Sequence, residues 1–422
     1  MNKLIVRAGA AVSTVALIAS SFVGPVLATE VVISENGSNS DNTVNVAIDN
    51  STTVDQDNYA NITNDVNVSA NTGKNDANDN TGGDVSITTG DATAGVGVSN
   101  TANSNTADVT GCCPGDLDVT ITGNGTYSDN DANVALKTTT TVDQDNTAYV
   151  KNSVDVDLDT GKNDANDNTG GDVSINTGNA SADSIWVSNA VNKNVASVGS
   201  GANGGGSLAV VISENGSNSD NTANVAVSSA KTINQTNYAK ISNDVDVDAD
   251  TGKNDANDNT GGEVSIDTGD AKADVWVSNL ANFNAADVDA CGCILDLLVK
   301  IKDNGTYSDN DANVALKSST LVDQDNTYEC KKGHGRWSWH KSCNEVDVDL
   351  DTGKNDANDN TQGDDDPDPE INTGDASADV LVETTANANE VGAATFDFDF
   401  PELPEVGGSS ASLLLLLLAL FS

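Results

Sequence analysis

A twelve-residue phrase, TGKNDANDNTGG, stands at residues 72–83 and returns at 160–171, at 251–262 and, with one change, at 352–363. A polar phrase repeated at long, nearly constant intervals does not suit one irregular globular core; it points to a repeat architecture. A wider pattern surrounds it. VVISENGSNSDNT at Val31 recurs at Val210, and NGTYSDNDANVALK at Asn124 recurs at Asn304. The chain therefore reads as A-B-A'-B', with A at 29–110, B at 111–198, A' at 208–289 and B' at 290–394. The Gly-rich stretch 199–207 between the halves reads as a flexible linker or long loop.

What the repeats fold into follows from composition. The 422 residues carry a net charge of -46, and only 4% are aromatic, too little bulky apolar material for one large core. Disorder is the obvious alternative for such a chain. Against it, Val, Ile and Thr alternate with Asn and Asp in many short runs, the pattern of half-buried strands. Turn-like points inside a unit, such as Asn36-Gly37, Gln56, Thr72-Gly73 and Thr89-Gly90, follow a shorter beat. The expectation is an all-β, parallel β-solenoid with one coil per roughly 18 residues, stacking to a rod of roughly 100 Å. Tandem Ig-like sandwiches are the alternative; the missing core Trp and Tyr pattern and the short beat weigh against them.

Phrases such as Gln56-x-Asn58-x-Ala60, Gly73-x-Asn75-x-Ala77 and Gln235-x-Asn237-x-Ala239 are similar to the repeats of curlin-type fibre subunits, though less regular and poorer in Gln. The whole chain resembles the long Asn/Thr/Gly-rich repeat proteins that bacteria export to their surface. That resemblance implies a scaffold, fibre or adhesin and names no ligand.

Both ends read as address labels. Residues 1–28 combine Lys3 and Arg7, an apolar stretch and small residues before Thr29, as in a cleaved secretory signal. Near the other end, in the segment 395–422, Leu403, Pro404, Glu405, Val406 and Gly407 precede a polar spacer and an apolar tail. This resembles the sortase-type wall-sorting signal of Gram-positive-type surface proteins, departing from it at Val406, where that family has Thr, and in having no basic residues after the tail. The expected location is outside the cell, attached to its surface or wall.

Three features carry candidate chemistry. The acidic corners, with Asp76 and Asp79, Asp164 and Asp167, Asp255 and Asp258, offer hard oxygens that would pile up charge when stacked, so calcium is the expected counter-ion. The strands before them, such as VDVDLD at 154–159, read simply as half-buried strands with an Asp face. The six cysteines form close pairs, Cys112 with Cys113, Cys291 with Cys293, and Cys330 with Cys343. Outside the cell, oxidised pairs are the default, either within the chain or between chains. The 330–343 insertion in B' gathers Lys331, Lys332, His334, Arg336, Trp337, Trp339, His340 and Lys341 on an otherwise acidic chain. A disulfide-closed binding tip for a glycan or an anionic polymer is the leading reading, with a Cys₂His₂ zinc site as the weaker one. Trp186 and Trp276, each in WVSN, read as strand residues packing into or capping the solenoid. No catalytic motif is present, and the charge disfavours nucleic acid as a partner of the rod. The expected role is non-enzymatic: a surface stalk or fibre, or a self-assembling matrix or surface-layer subunit.

Overall fold

The computed structural model describes residues 4–7, 11–14, 17–23, 29–110, 116–199, 207–288, 296–332, 341–361 and 368–392. Three short strands lead: β1 (Leu4–Arg7), β2 (Ala11–Thr14) and β3 (Leu17–Val23). The first coil contains β4 (Thr29–Ser34), β5 (Asp41–Asn71), β6 (Val85–Thr88) and β7 (Ala92–Thr110). The second contains β8 (Leu117–Thr122), β9 (Asp129–Asp159), β10 (Val173–Asn176) and β11 (Ala180–Val198). The third contains β12 (Ser207–Ser213), β13 (Asp220–Asp250), β14 (Val264–Asp267) and β15 (Ala271–Val288). The fourth contains β16 (Asp296–Lys302), β17 (Asp309–Lys332), β18 (Lys341–Ser342), β19 (Asn344–Asp351), β20 (Glu370–Asn372) and β21 (Ala376–Val391).

Each strand pairs in parallel with its counterpart one coil away, giving the stacked ladders β4-β8-β12-β16, β5-β9-β13-β17, β6-β10-β14-β20 and β7-β11-β15-β21. The fold is the expected parallel β-solenoid, and the parallel pairing excludes Ig-like sandwiches. The coil length, however, is not about 18 residues. Partners in adjacent coils lie 88, 91 and 89 residues apart, and 101 to 105 apart past the insertion in the fourth coil. The 18-residue beat marks positions within one coil, where the chain bends or an amide faces inward. A 31-residue strand spans roughly 100 Å, whereas four coils at about 4.8 Å rise only about 20 Å. The long dimension therefore lies across the coils, not along the stack. The Gly-rich 199–207 stretch does not split the stack, because β12 beyond it pairs with both β8 and β16.

Each coil is a flattened loop. The long strand forms a floor, and the 19-residue strand folds back over its second half, as Gln56 to Thr106, Asn58 to Asn105, Asn64 to Asn100 and Thr72 to Gly90 hydrogen bonds show. The 6-residue strand covers the first half, packing Leu117, Val119 and Ile121 on Val134 and Leu136. Inward positions alternate with outward ones along the floor, so Val, Ile and Ala fill most of the interior, with few buried aromatic residues such as Trp186 and Phe283.

That interior is striped. Apolar clusters around Val156 and Val187, around Ala148 and Val150, and around Val142 and Val198 are separated by columns of buried amides. Asn100, Asn189 and Asn279 are stacked at 2.7 Å, and face the column Asn64, Asn152, Asn243. Gln56, Gln144 and Gln235 form a second ladder at 2.8 Å. An amide can donate to the coil on one side and accept from the coil on the other, so an in-register stack satisfies buried polar groups that a lone coil could not.

The segment β1–β3 lies along the outer edge of β7, with Leu4 opposite Ala92 and Leu17 opposite Ser104.

Candidate functional site

The repeated phrase forms the corner after each floor strand, and its residues stack in columns. Asn163 accepts from Asn75 and donates to Asn254, which donates to Asn355, all at 2.8–2.9 Å; Asn80 donates to Asn168 at 2.9 Å. The lysine of each copy sits in left-handed backbone, with φ of 58° at Lys74 and 59° at Lys162. That strained placement aims its ammonium along the stack. Lys162 meets Asp159 of its own coil at 2.8 Å and Asp250 of the next at 3.1 Å; Lys253 repeats this with Asp250 and Asp351. Both Asp159 and Asp250 are buried. Burial pulls the Lys162 ammonium down, but the hydrogen bonds to Asp159 and Asp250 outweigh it and hold the pKa above the usual lysine range. Glycine is required here: a methyl on Gly161 would lie 2.0 Å from the Gly252 carbonyl oxygen.

The corner aspartates divide into two sets. Asp76, Asp164, Asp255 and Asp356 form a column of parallel bridges. Burial, then the neighbouring charges, raise the carboxyl pKa of Asp164 and Asp255. Asp79, Asp167 and Asp258 occupy left-handed turn positions with φ of 55–59°. Among the described residues no group of three or more His, Cys, Asp or Glu side chains is gathered as a metal site.

Outward acidic columns run along the floor. Asp246 and Asp248 have raised carboxyl pKa values, first through burial and then through Asp155, Asp347 and Asp157, Asp349. In the first coil these columns lose their charge, because Asn67, Ser69 and Asn71 stand opposite Asp155, Asp157 and Asp159.

Among the described residues the fourth coil has no further coil on it, and the first coil is covered only where β1–β3 pair with β7. Val314 and Leu316 face inward in register with Val225 and Val227, yet are 47% and 68% exposed, whereas Val225 is 2% exposed. Among the described residues no strand pairs on the far side of β17 at these positions. Leu321, Val380, Leu381 and Val382 are exposed in the same terminal coil. At the opposite end β5 pairs only with β9. Unpaired edges of this length are templates for further pairing.

In the fourth coil, Cys330 and Cys343 are joined in a disulfide, with Cα atoms 4.5 Å apart. This pairing replaces the Cys₂His₂ zinc reading, since neither sulfur is free to ligate. The floor is left at Cys330, opposite Ile241, and regained at Asn344, opposite Asn243. The bridge thus lets β19 resume the register of β17 after the insertion. Lys331 and Lys332 pair with Ser342 and Lys341 as an antiparallel stem. His334, Arg336, Trp337, Trp339 and His340 lie outside the described residues, as do Cys112, Cys113, Cys291, Cys293 and the sorting-like Leu403, Pro404, Glu405, Val406 and Gly407. The strands that follow the first two cysteine pairs, β8 and β16, are separated only by β12. Trp186 is buried in register with Gly97, where a methyl would lie 2.5 Å from its ring, and Trp276 is its register partner in the next coil.

Comparison with protein-family models, with curated proteins and with solved structures finds no match to this chain.

Proposed function

We propose that this is a non-catalytic structural protein of the cell exterior, a subunit that joins its own copies into a cross-β filament or matrix. The observation that carries the reading is the pair of end faces. The fourth coil presents unpaired strand edges, exposed inward residues such as Val314 and Leu316, and amide columns, while the first coil presents the free edge of β5 beside the β7 edge that β1–β3 cover. The rod-like stalk, as a single molecule, loses its geometric basis, because one chain rises only about 20 Å along the stack. Export, through the N-terminal signal and the sorting-like C-terminal segment, belongs to the same proposal. So does calcium, as a counter-ion that lowers repulsion along columns such as Asp76, Asp164 and Asp255 rather than as an occupant of a built site.

The disulfide-closed loop supports a subsidiary role. It stands in place of the outward floor position that Ser242 holds in the third coil, and would display its Trp and basic residues once per subunit to a glycan or anionic polymer. Electron microscopy of the chain beginning at Thr29, in millimolar Ca²⁺ and physiological salt, tests the main reading. Filaments support it, and particles that stay single at all concentrations refute it.

A further inference from the structure

Resting on the reading of the chain as a stacking subunit, we infer that the partner is a second copy of this chain bound head to tail and in register. The fourth coil of one copy docks on the first coil of the next, Asp309 on Asp41 and Gly353 on Gly73. Four independent features of the two faces agree on this.

The first is steric. A methyl on Gly73, Gly161 or Gly252 would lie 2.0 Å from the carbonyl oxygen of Gly161, Gly252 or Gly353, in the coil that follows. At Gly353 the nearest atom is 3.9 Å away, yet glycine is kept. At the opposite end, methyls on Gly125, Gly216 and Gly305 would lie 2.3–2.5 Å from a backbone nitrogen of the preceding coil, whereas Gly37 has nothing within 4 Å. Both terminal glycines keep room for a layer that one chain does not supply.

The second is charge. Lys137 pairs with Asp49 of the first coil at 3.0 Å. The same column continues through Ser228 to Lys317, so an in-register junction sets Lys317 on Asp49 and repeats the pair. The third is the neutral patch. Asp347, Asp349 and Asp351 of the fourth coil would meet Asn67, Ser69 and Asn71, and the amides of Asn67 and Asn71 already reach carboxylates in the second coil. Three columns of like charge are interrupted only at the face that must accept another acidic coil. The fourth is alternation. Thr43, Asp131, Thr222 and Asp311 alternate along one column, and Tyr59, Thr147, Tyr238 and Thr327 along another. Joining the fourth coil to the first continues both without a break. Head-to-head or tail-to-tail contact would break them, and would give closed dimers instead of an open filament.

The test uses Gly353→Ala and Gly37→Ala in the chain beginning at Thr29, each first shown to melt like the parent. Gly353→Ala blocks only the C-terminal face, and Gly37→Ala only the N-terminal face. Each alone is expected to weaken assembly roughly tenfold or more and to stay monomeric where the parent polymerises. Mixed, they should form a 1:1 dimer through the one intact face of each and grow no further, read by light scattering and native mass spectrometry. Lys317→Asp, whose neighbour inside the chain is the neutral Ser228, should raise the critical concentration several-fold at low salt and little near 1 M salt. Unimpaired filaments from both alanine variants, or a dimer from either variant alone, overturn the head-to-tail register while leaving self-assembly standing. A parent chain that never assembles refutes the underlying reading itself.

Discussion

Replacing Asn194 with alanine measures what the amide columns contribute. Its side chain is completely buried. The Nδ2 group donates to Asn284 Oδ1 at 3.0 Å, to Asn237 Oδ1 and the Gln144 carbonyl at 3.1 Å, and to the Thr236 carbonyl at 3.3 Å. The Oδ1 atom accepts from Asn146 at 2.7 Å and from Asn105 at 3.0 Å. Truncation therefore removes two links along the stack and four contacts across the interior, the four donated ones sharing the two amide hydrogens, and takes an acceptor from two buried amides where water cannot enter. At about 1 kcal/mol per net hydrogen bond, plus about 1–3 kcal/mol for groups left short of a partner, the loss should be about 3–5 kcal/mol. Asn389 occupies the same column in the terminal coil but is exposed, so water replaces its partners and Asn389→Ala should cost about 1 kcal/mol or less. Urea unfolding followed by circular dichroism, on single chains below the assembly concentration, reads both values. Equal losses at the two sites would refute the reasoning that stacking depth sets the strength of the column.

Lys162→Met leaves the buried Asp159 and Asp250 with fewer cationic neighbours and should cost about 2–3 kcal/mol, measured as a shift in urea midpoint; an unchanged midpoint would show the zipper to be idle. For Asp143, Asp246 and Asp248, burial and neighbouring carboxylates raise the folded-state pKa, so the folded chain holds protons that the unfolded chain releases. Their contribution therefore grows as pH falls from neutral through the raised values, while Asp351, held below the ordinary range by Lys354, Gly353 and Lys253 against the opposing effect of burial, loses its contribution only at stronger acid. The Tm should rise from about pH 7 to about pH 4.5; a steady fall over that interval contradicts the acidic-column argument. Millimolar Ca²⁺ should also raise the Tm over that in EDTA, and identical melting curves would remove calcium from the account. Because β1, β2 and β3 lie on the edge of β7 that a docking copy's β21 would use, the full chain should assemble more slowly than the chain beginning at Thr29, followed by light scattering.

The β-solenoid was legible because alternation of Val or Ile with Asn or Asp is visible residue by residue, as in VDVDLD, and because Gly and Asn punctuate the corners. Coil length was not. The 18-residue beat and the 90-residue duplication are both present in the chain, and periodicity alone does not say which one closes a turn of the solenoid. Only pairing does, with Asn42 on Asn130 and Gln56 on Gln144. The signal that would have chosen correctly is chemical identity at long offset: a buried amide stacks favourably on the same amide, so Asn and Gln recurring at intervals of about 90 residues mark neighbouring coils. The Lys162 zipper was hidden for a related reason, since its second carboxylate, Asp250, is contributed by the next coil. By contrast, Cys330 and Cys343 flank an insertion that interrupts an otherwise repeated strand, and two cysteines at its base predict their own bridge.

Mass per unit length of the filaments, measured by dark-field scanning transmission electron microscopy, tests the central claim most directly. A chain of 43.1 kDa that advances four coils at about 4.8 Å gives roughly 20 kDa per nm. A value near 4 kDa per nm, as expected if each chain were a rod of roughly 100 Å joined end to end, or a failure to form filaments at all, would contradict it.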